Sequence, residues 1–165
     1  MYLYILRHGI AYDREEWQGD DAARPLTDKG KERTQAVVKA LLKKKLLRVD
    51  AIWSSPLARA LQTAEIAGKA LGLPVTAVDA LACGASVQGL MAAFRKLEPL
   101  PARLMLVGHE PDCGAIVAEL VGDETRDYAL KKAGVAALEG EFRPRGMVLQ
   151  WKLGPKDVLK ERDDR

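Results

Sequence analysis

The stretch Tyr2-Leu-Tyr-Ile-Leu-Arg-His-Gly9 decides how the chain begins to fold. Its first five residues form a short, nearly all-apolar run, which is typical of a strand that is covered on both faces of a sheet. The runs Ala51–Trp53 and Leu104–Val107 have the same character. We therefore predict three central strands, the first of which ends directly before Arg7 and His8.

Helical periodicity separates these strands. Apolar residues repeat at steps of three and four from Leu57 to Leu71, which predicts a helix over residues 56–71 with Ser55 as its cap and Pro56 in its first turn. Strands that alternate with helices are typical of a parallel sheet covered on both faces. We therefore predict an α/β fold, a three-layer α/β/α sandwich with a mostly parallel central sheet. Further helices are predicted to begin at Thr27, to carry the stripe Val87, Leu90, Met91, Phe94 and Leu97, and to run from Pro111 to near Gly122.

The last third of the chain contains two further predicted strands, which are expected to pair antiparallel. The runs Val135–Leu138 and Met147–Leu153 are joined by a Pro-Arg-Gly turn, which favours an antiparallel pair at one edge of the sheet. From Pro155 onward the sequence is highly charged. We expect one domain over residues 1–154 and a frayed, charged C-terminal tail over residues 155–165.

Composition excludes several classes of protein. The 165 residues are 48% hydrophobic and carry 26 basic and 23 acidic side chains, a mixed surface that does not indicate nucleic-acid binding. The uncharged run before Arg7 is too short for a signal or membrane segment, so we expect a cytoplasmic protein, and a monomer. Cys83 and Cys113 lack the spacing of a metal or redox motif. We interpret both as reduced packing residues, with a catalytic thiol as the alternative for Cys113.

The chain has two histidines, and each follows a predicted strand. His8 follows the first strand, and His109 follows Val107-Gly108. Because ligands of open α/β sheets bind outside the carboxyl ends of the strands, both side chains are predicted to face one crevice. The remaining predicted strand, Ala51–Trp53, leads into Ser54-Ser-Pro-Leu-Ala-Arg59. This order places Arg59 near a helix N-terminus that favours an anion.

These residues suit phosphoryl transfer. A neutral imidazole attacks phosphorus to give a phosphohistidine, and we assign His8 as this nucleophile. Arg7 and Arg59 are predicted to stabilise the charge on the equatorial oxygens, together with His109 if it is protonated. Gly9 is predicted to let the backbone approach the phosphoryl oxygens. Because the sequence contains no cluster of Asp and His that suggests a metal site, we assign no metal and no cofactor.

Four segments together resemble the histidine phosphatase superfamily, with its phosphoglycerate mutase-like fold, and most of all its SixA-type phosphohistidine phosphatases. The segments are Arg7-His-Gly9, Arg24-Pro-Leu-Thr-Asp-Lys-Gly30, Ser54-Ser-Pro-Leu-Ala-Arg59-Ala-Leu-Gln-Thr-Ala64 and Gly108-His-Glu-Pro111. The resemblance implies that His8 is the phosphorylated nucleophile, that Arg7, Arg59 and His109 form the phosphate pocket, and that Arg24 joins them. For Arg24, an ion pair with Asp28 is the alternative.

Other branches of this superfamily carry an acidic proton donor, and the comparable stretch here, Ala80–Ser86, has none. An alkoxide leaving group needs such a donor, whereas the imidazole released from phosphohistidine needs it less. We therefore expect a protein phosphohistidine as substrate, on a phosphotransfer or carrier domain. Two alternatives are a small-molecule phosphomonoester phosphatase, with Asp20, Asp21 or Glu110 as donor, and a phosphoprotein-binding module without turnover. The segment Asp13–Asp21 is either a flap that brings Trp17 to substrate or a polar loop.

Overall fold

The structure is a computed structural model and describes residues 1–159. Within these residues the chain forms six strands, five α-helices and two short 3₁₀ helices. The strands are β1 (Tyr2–Arg7), β2 (Ala51–Ser54), β3 (Val75–Ala77), β4 (Arg103–Gly108), β5 (Val135–Gly140) and β6 (Met147–Leu153). The α-helices are α1 (Asp28–Lys43), α2 (Ala58–Leu71), α3 (Val87–Arg95), α4 (Asp112–Val121) and α5 (Pro155–Leu159), and the 3₁₀ helices are Asp21–Ala23 and Asp79–Leu81.

All six strands join one sheet in the order β3-β2-β4-β1-β5-β6. The neighbours β3-β2, β2-β4 and β4-β1 are parallel, whereas β5 runs antiparallel to β1 and β6 antiparallel to β5. The predicted central strands and the antiparallel pair at one edge are confirmed. The sequence did not predict β3, because its three residues lie at the sheet edge and alternate too briefly to give a pattern.

The side chains of β1 alternate between two cores. Leu3 and Ile5 pack with α3 and α4 on one face, whereas Tyr4 and Leu6 pack with α1, α2 and α5 on the other. The three-layer α/β/α prediction is therefore confirmed. Within residues 1–159, no helix combines the length and the apolar character needed to cross a membrane.

The helix starts explain how the loops near the site are held. Thr27 caps α1 as predicted, its hydroxyl accepting a hydrogen bond from the Gly30 N–H at 2.9 Å. The start of α2 differs from the prediction: Leu57 is the cap residue, so Ser55 and Pro56 lie before the helix. A proline disfavours helical backbone in the residue before it, which agrees with Ser55 lying outside the helix. Arg59 consequently lies in the first turn of α2.

The expectation of a frayed tail from Pro155 onward is wrong for residues 155–159. These residues form α5, in which Pro155 and Val158 are buried. Val158 packs in the same core as α1 and α2. The many charged residues of this segment concealed the two adjacent apolar residues Val158 and Leu159 in the sequence. Residues 160–165 lie outside the described part of the chain.

We expect Val158→Ala to lower the free energy of unfolding by about 1.5 kcal/mol, because it removes two buried carbon atoms that together contribute roughly that much. Val148 provides a matched control, since it is 65% exposed and lies on the edge strand β6. Val148→Ala is expected to change the stability by less than about 0.5 kcal/mol. Urea denaturation of both variants measures the difference, and equal effects would mean that α5 is not docked.

Candidate active site

His8 lies just beyond the carboxyl end of β1 and is buried, with 8% of its surface exposed. Its ring Nδ1 lies 2.7 Å from the Gly9 carbonyl oxygen. Because a carbonyl only accepts hydrogen bonds, Nδ1 must carry the proton, and the lone pair of a neutral ring is then on Nε2. Burial, followed by the charges of Arg59 and Arg7, lowers the pKa of His8 to about 4. His8 is therefore neutral at pH 7, with a nucleophilic nitrogen that has no hydrogen-bond partner within residues 1–159.

His109 follows β4, the parallel neighbour of β1, and its ring centroid lies 5.3 Å from that of His8. The ring Nε2 lies 2.7 Å from the Ser55 hydroxyl oxygen. That oxygen also accepts a hydrogen bond from the Leu57 N–H at 3.2 Å, and we assign the hydroxyl proton to the contact with Nε2. The Nδ1 atom of His109 then carries the proton, and it is buried without a partner in the described residues.

The sequence prediction gave His109 a stabilising charge only if the ring is protonated, and this condition is not met at pH 7. Burial, followed by the nearby His8 and Arg59, lowers the pKa of His109 to about 3. The ring is therefore a neutral N–H donor at pH 7. The sequence analysis assigned Ser55 only a helix-capping role and missed its contact with His109. The signal in the sequence was the position of Ser55, a polar residue directly after a buried strand.

Arg7 is held by the loop that precedes β5. Its Nη1 donates to the Leu130 carbonyl oxygen at 2.8 Å, while its buried Nε has no partner in the described residues. The same loop is attached to the backbone beside the site, because the Ala133 N–H donates to the carbonyl oxygens of Arg7 and His8 at 3.2 and 3.1 Å. The guanidinium group of Arg7 is thus fixed in position next to His8.

Arg59 and Arg24 are organised by one carboxylate, that of Asp21. Arg59, with 2% of its surface exposed, donates from Nη1 to the Asp21 carbonyl oxygen at 3.0 Å and from Nη2 to its carboxylate at 3.3 Å. Arg24 donates from Nε to the same carboxylate at 2.8 Å and from Nη1 to the Tyr12 carbonyl oxygen at 2.6 Å. The hydrogen bond from Arg24 lowers the pKa of Asp21. The alternative partner for Arg24, Asp28, is therefore wrong.

All five predicted site residues line one cavity of about 260 Å³ at the carboxyl ends of the parallel strands. The cavity includes residues that the sequence prediction missed. Its lining comprises Arg7, His8, Ala11, Asp13, Arg14, Arg24, Arg59, Cys83, His109, Glu110 and Lys132. A phosphoryl group in this space would meet arginine side chains from three separate segments of the chain.

The contacts add a packing role for Gly9 and correct the prediction for one cysteine. A Cβ atom at Gly9 would collide with the Thr34 hydroxyl and lie 3.3 Å from the Gly30 carbonyl oxygen on α1. Cys83 is exposed, with its Sγ 3.7 Å from Arg59 Nη2, and does not pack in a core. Cys113 is a packing residue as predicted, because it is buried and burial raises the pKa of its thiol.

The candidate proton donors named from the sequence are engaged elsewhere. Both carboxylate oxygens of Glu110 accept backbone hydrogen bonds, from the Gly114 N–H at 2.9 Å and the Leu130 N–H at 2.6 Å. Asp20 accepts from the Ala22 N–H at 3.1 Å, and Asp21 pairs with arginines. Trp17 does not line the cavity, and its indole N–H donates to the Asp20 carbonyl oxygen at 3.0 Å.

The two buried imidazoles predict that the folded state loses stability in mild acid. Their pKa values in the fold, about 4 and about 3, lie below the value of 6.5 in an unfolded chain. Between these limits the unfolded chain binds more protons, so stability is full above pH 6.5 and falls as the pH drops below it. The expected loss between pH 7 and pH 5 is on the order of 2 kcal/mol for each imidazole.

Urea denaturation at pH 7 and pH 5 measures this loss. A double variant, His8→Asn with His109→Asn, provides the comparison because it removes both titrating groups and keeps every carboxylate. Its stability is expected to change less over the same range. An equal loss in both proteins would assign the pH dependence to the carboxylates.

Comparison with known proteins is consistent with this arrangement. Residues 3–82 match the family described as the histidine phosphatase superfamily (branch 1). The chain is 41% identical over 141 residues to an uncharacterized protein of Picosynechococcus, covering 84% of each chain. It is 33% identical over 162 residues to the phosphohistidine phosphatase SixA of Escherichia coli, covering 94% of each.

A solved structure of the protein histidine phosphatase SixA with tungstate superposes with a TM-score of 0.80 at 24% identity, covering 96% of this chain and 99% of that one. This likeness shows that the fold is shared over nearly the whole length. Together with the 33% identity to the Escherichia coli relative, it establishes the family: the chain belongs to the histidine phosphatase superfamily, among its SixA-type members, and is a phosphatase.

Proposed function

We propose that the protein hydrolyses phosphohistidine on another protein through a covalent phospho-His8 intermediate. The observation that carries this proposal is the state of His8: a neutral imidazole whose Nδ1 proton is held by the Gly9 carbonyl oxygen and whose Nε2 is free. A histidine that served only to bind phosphate would gain from being cationic. Here burial, with three arginines acting in the same direction, keeps it neutral, which suits a nucleophile.

In the first step, the Nε2 lone pair of His8 attacks phosphorus, and the P–N bond of the substrate histidine breaks. The leaving imidazole keeps the electron pair of that bond, and a proton already on its ring lets it depart neutral. His8 then carries the phosphoryl group on Nε2 and the proton on Nδ1. In the second step, water attacks phosphorus as the P–Nε2 bond breaks, and the electron pair of that bond returns to Nε2. The protons of the water leave on the inorganic phosphate, so His8 is again neutral with its proton on Nδ1.

The charge on the transferred oxygens is stabilised by Arg7, Arg24 and Arg59. The Nε atoms of Arg7 and Arg59 and the Nδ1 atom of His109 are buried and lack acceptors within residues 1–159. Buried donors without acceptors are rare in folded proteins, and an anion entering the site would supply the acceptors. His109 contributes as a neutral donor, and the bound anion would raise its pKa.

Phosphohistidine is favoured over a phosphoester because the site residues named as proton donors are occupied. Glu110, Asp20 and Asp21 are all engaged in hydrogen bonds or ion pairs. The cavity of about 260 Å³ is at the small end for a ligand site, which suits a single side chain entering from a protein surface. The similarity to a phosphohistidine phosphatase over 94% of the chain supports the same substrate class.

One observation favours a second candidate, a small-molecule phosphomonoester phosphatase. Asp13 lines the cavity, and its carboxylate has no hydrogen-bond partner within residues 1–159. Asp13 would then protonate the alkoxide leaving group. This candidate requires that Asp13→Asn slow the hydrolysis of phosphomonoesters while phosphohistidine turnover is unchanged.

Further properties belong to the same proposal. We expect a cytoplasmic monomer with no metal requirement and with one catalytic domain that includes α5. Within residues 1–159, there is no group of three or more His, Cys, Asp or Glu side chains that could hold a metal ion. Activity that disappears in EDTA and returns with zinc or magnesium would contradict the metal-free mechanism.

The arginine positions give the first kinetic prediction. Arg59→Ala and Arg7→Ala are each expected to lower kcat by about 10²–10³-fold, because each removes a fixed donor to the developing charge. Arg143→Ala is the matched control, since Arg143 is an exposed arginine bound to Glu141 at 2.8 Å and lies outside the cavity. Rates near wild type in the Arg7 and Arg59 variants would contradict the assignment of the pocket.

The substrate and the intermediate are tested together. Purified protein is incubated with a protein phosphorylated on histidine and, separately, with a panel of phosphomonoesters. We expect faster turnover of phosphohistidine, and an acid-labile label on rapidly quenched wild-type protein that is absent from His8→Ala. Faster turnover of the esters would favour the second candidate. No label and no turnover with either substrate would mean that the pocket only binds phosphoproteins.

A further inference from the structure

We propose that Lys132 is a specificity-determining residue, which binds a carboxylate beside the phosphohistidine on the substrate protein. This inference rests on the proposed function and goes beyond it by naming a chemical feature of the partner. Lys132 lines the active-site cavity, and its side chain is exposed.

Lys132 differs from the other cations around the cavity in having no acceptor. Arg7 donates to Leu130, whereas Arg24 and Arg59 pair with Asp21. Arg14 also approaches Asp21, at 3.7 Å. Within residues 1–159, Lys132 has no hydrogen bond and no ion pair, so its charge is available to a ligand.

The backbone that carries Lys132 is fixed relative to His8. The Leu130 N–H donates to Glu110 at 2.6 Å, and the Leu130 carbonyl oxygen accepts from Arg7 at 2.8 Å. One residue beyond Lys132, the Ala133 N–H donates to the His8 carbonyl oxygen at 3.1 Å. The next residue closes the loop, with the Gly134 N–H donating to the Lys131 carbonyl oxygen at 2.7 Å.

Ala133 adopts a left-handed conformation, with φ of 61°, which these hydrogen bonds hold in place. A lysine attached to a fixed loop loses less freedom on binding than one on a mobile loop. The anchor therefore places a flexible, unpaired cation at the mouth of the cavity.

The position of Lys132 favours a carboxylate of the partner over the phosphoryl group itself. In the proposed mechanism, the buried donors of Arg7, Arg59 and His109 near His8 already supply hydrogen bonds to the phosphoryl group. An exposed lysine at the cavity wall meets the surface around the phosphorylated histidine. The complementary group on a protein surface is an aspartate or glutamate close in sequence or space to that histidine.

The test uses two synthetic phosphohistidine peptides that differ only in the residues flanking the phosphohistidine, glutamate in one and glutamine in the other. Wild type is expected to have a KM about two- to fivefold lower for the glutamate peptide, the size typical of a partly exposed ion pair, with equal kcat. Lys132→Gln is expected to remove this preference and leave kcat unchanged. Added salt is expected to weaken the preference in wild type.

Lys131 supplies the matched control, because it is the adjacent exposed lysine and does not line the cavity. Lys131→Gln is expected to behave as wild type with both peptides. The inference is wrong if Lys132→Gln keeps the preference, or if it slows both peptides equally, which would place Lys132 on the phosphoryl group.

Binding of the same peptides separates this inference from the proposed function. If wild type hydrolyses neither peptide, the proposed function fails, and titration calorimetry of both peptides still measures whether the glutamate preference depends on Lys132. A preference in Kd that Lys132→Gln removes supports the inference. Equal Kd values in wild type overturn it.

Discussion

The carboxylate of Asp21 holds the positive charge of the active site in place. It accepts from Arg24 at 2.8 Å and from Arg59 at 3.3 Å, and its own carbonyl oxygen accepts from Arg59 at 3.0 Å. Burying guanidinium groups next to one another is unfavourable unless each is paired and hydrogen-bonded. Asp21 pairs with both guanidinium groups, and its side chain is 44% exposed. It does not line the cavity, so the cavity beside His8 stays open.

Burial and the same cluster of positive charge together set the state of the two histidines. Burial is the largest cause of their lowered pKa values, and the arginines act in the same direction. In the proposed mechanism the same three arginines would also stabilise the bound phosphoryl group. The parallel pairing of β1 with β4 then determines the distance between the rings, since His8 and His109 follow paired residues of the two strands, Arg7 and Gly108.

The sequence predicted the strand ends well and the loops poorly, for a physical reason. A buried parallel strand produces an uninterrupted apolar run, so the apolar runs alone were enough to place Arg7, His8 and His109 at one sheet edge. The contact between Asp21 and Arg59 joins residues 38 positions apart through a polar segment without periodicity. Arg59 was visible only as a residue off the apolar stripe, which fits a solvated side chain as well as a buried one.

Lys132 shows the same limit more sharply, since Lys131 beside it has the same charge and exposure and does not line the cavity. The two lysines differ in where the loop places them, and backbone hydrogen bonds fix the conformation of that loop. Sequence patterns report which faces are apolar, and they carry little information about polar loops that tertiary contacts position.

Glu110 connects the chemistry of the site to the fold around it. One carboxylate oxygen accepts from Gly114 in the first turn of α4, and the other accepts from Leu130, whose carbonyl oxygen holds Arg7. Both carboxylate oxygens of Glu110 are thus occupied by backbone N–H groups, and one of these contacts joins it to the loop that holds Arg7. Of the three carboxylates named from the sequence as possible proton donors, Glu110 is therefore used to position Arg7. This arrangement supports the proposed substrate, because the imidazole released from phosphohistidine needs less help from an acid than an alkoxide does.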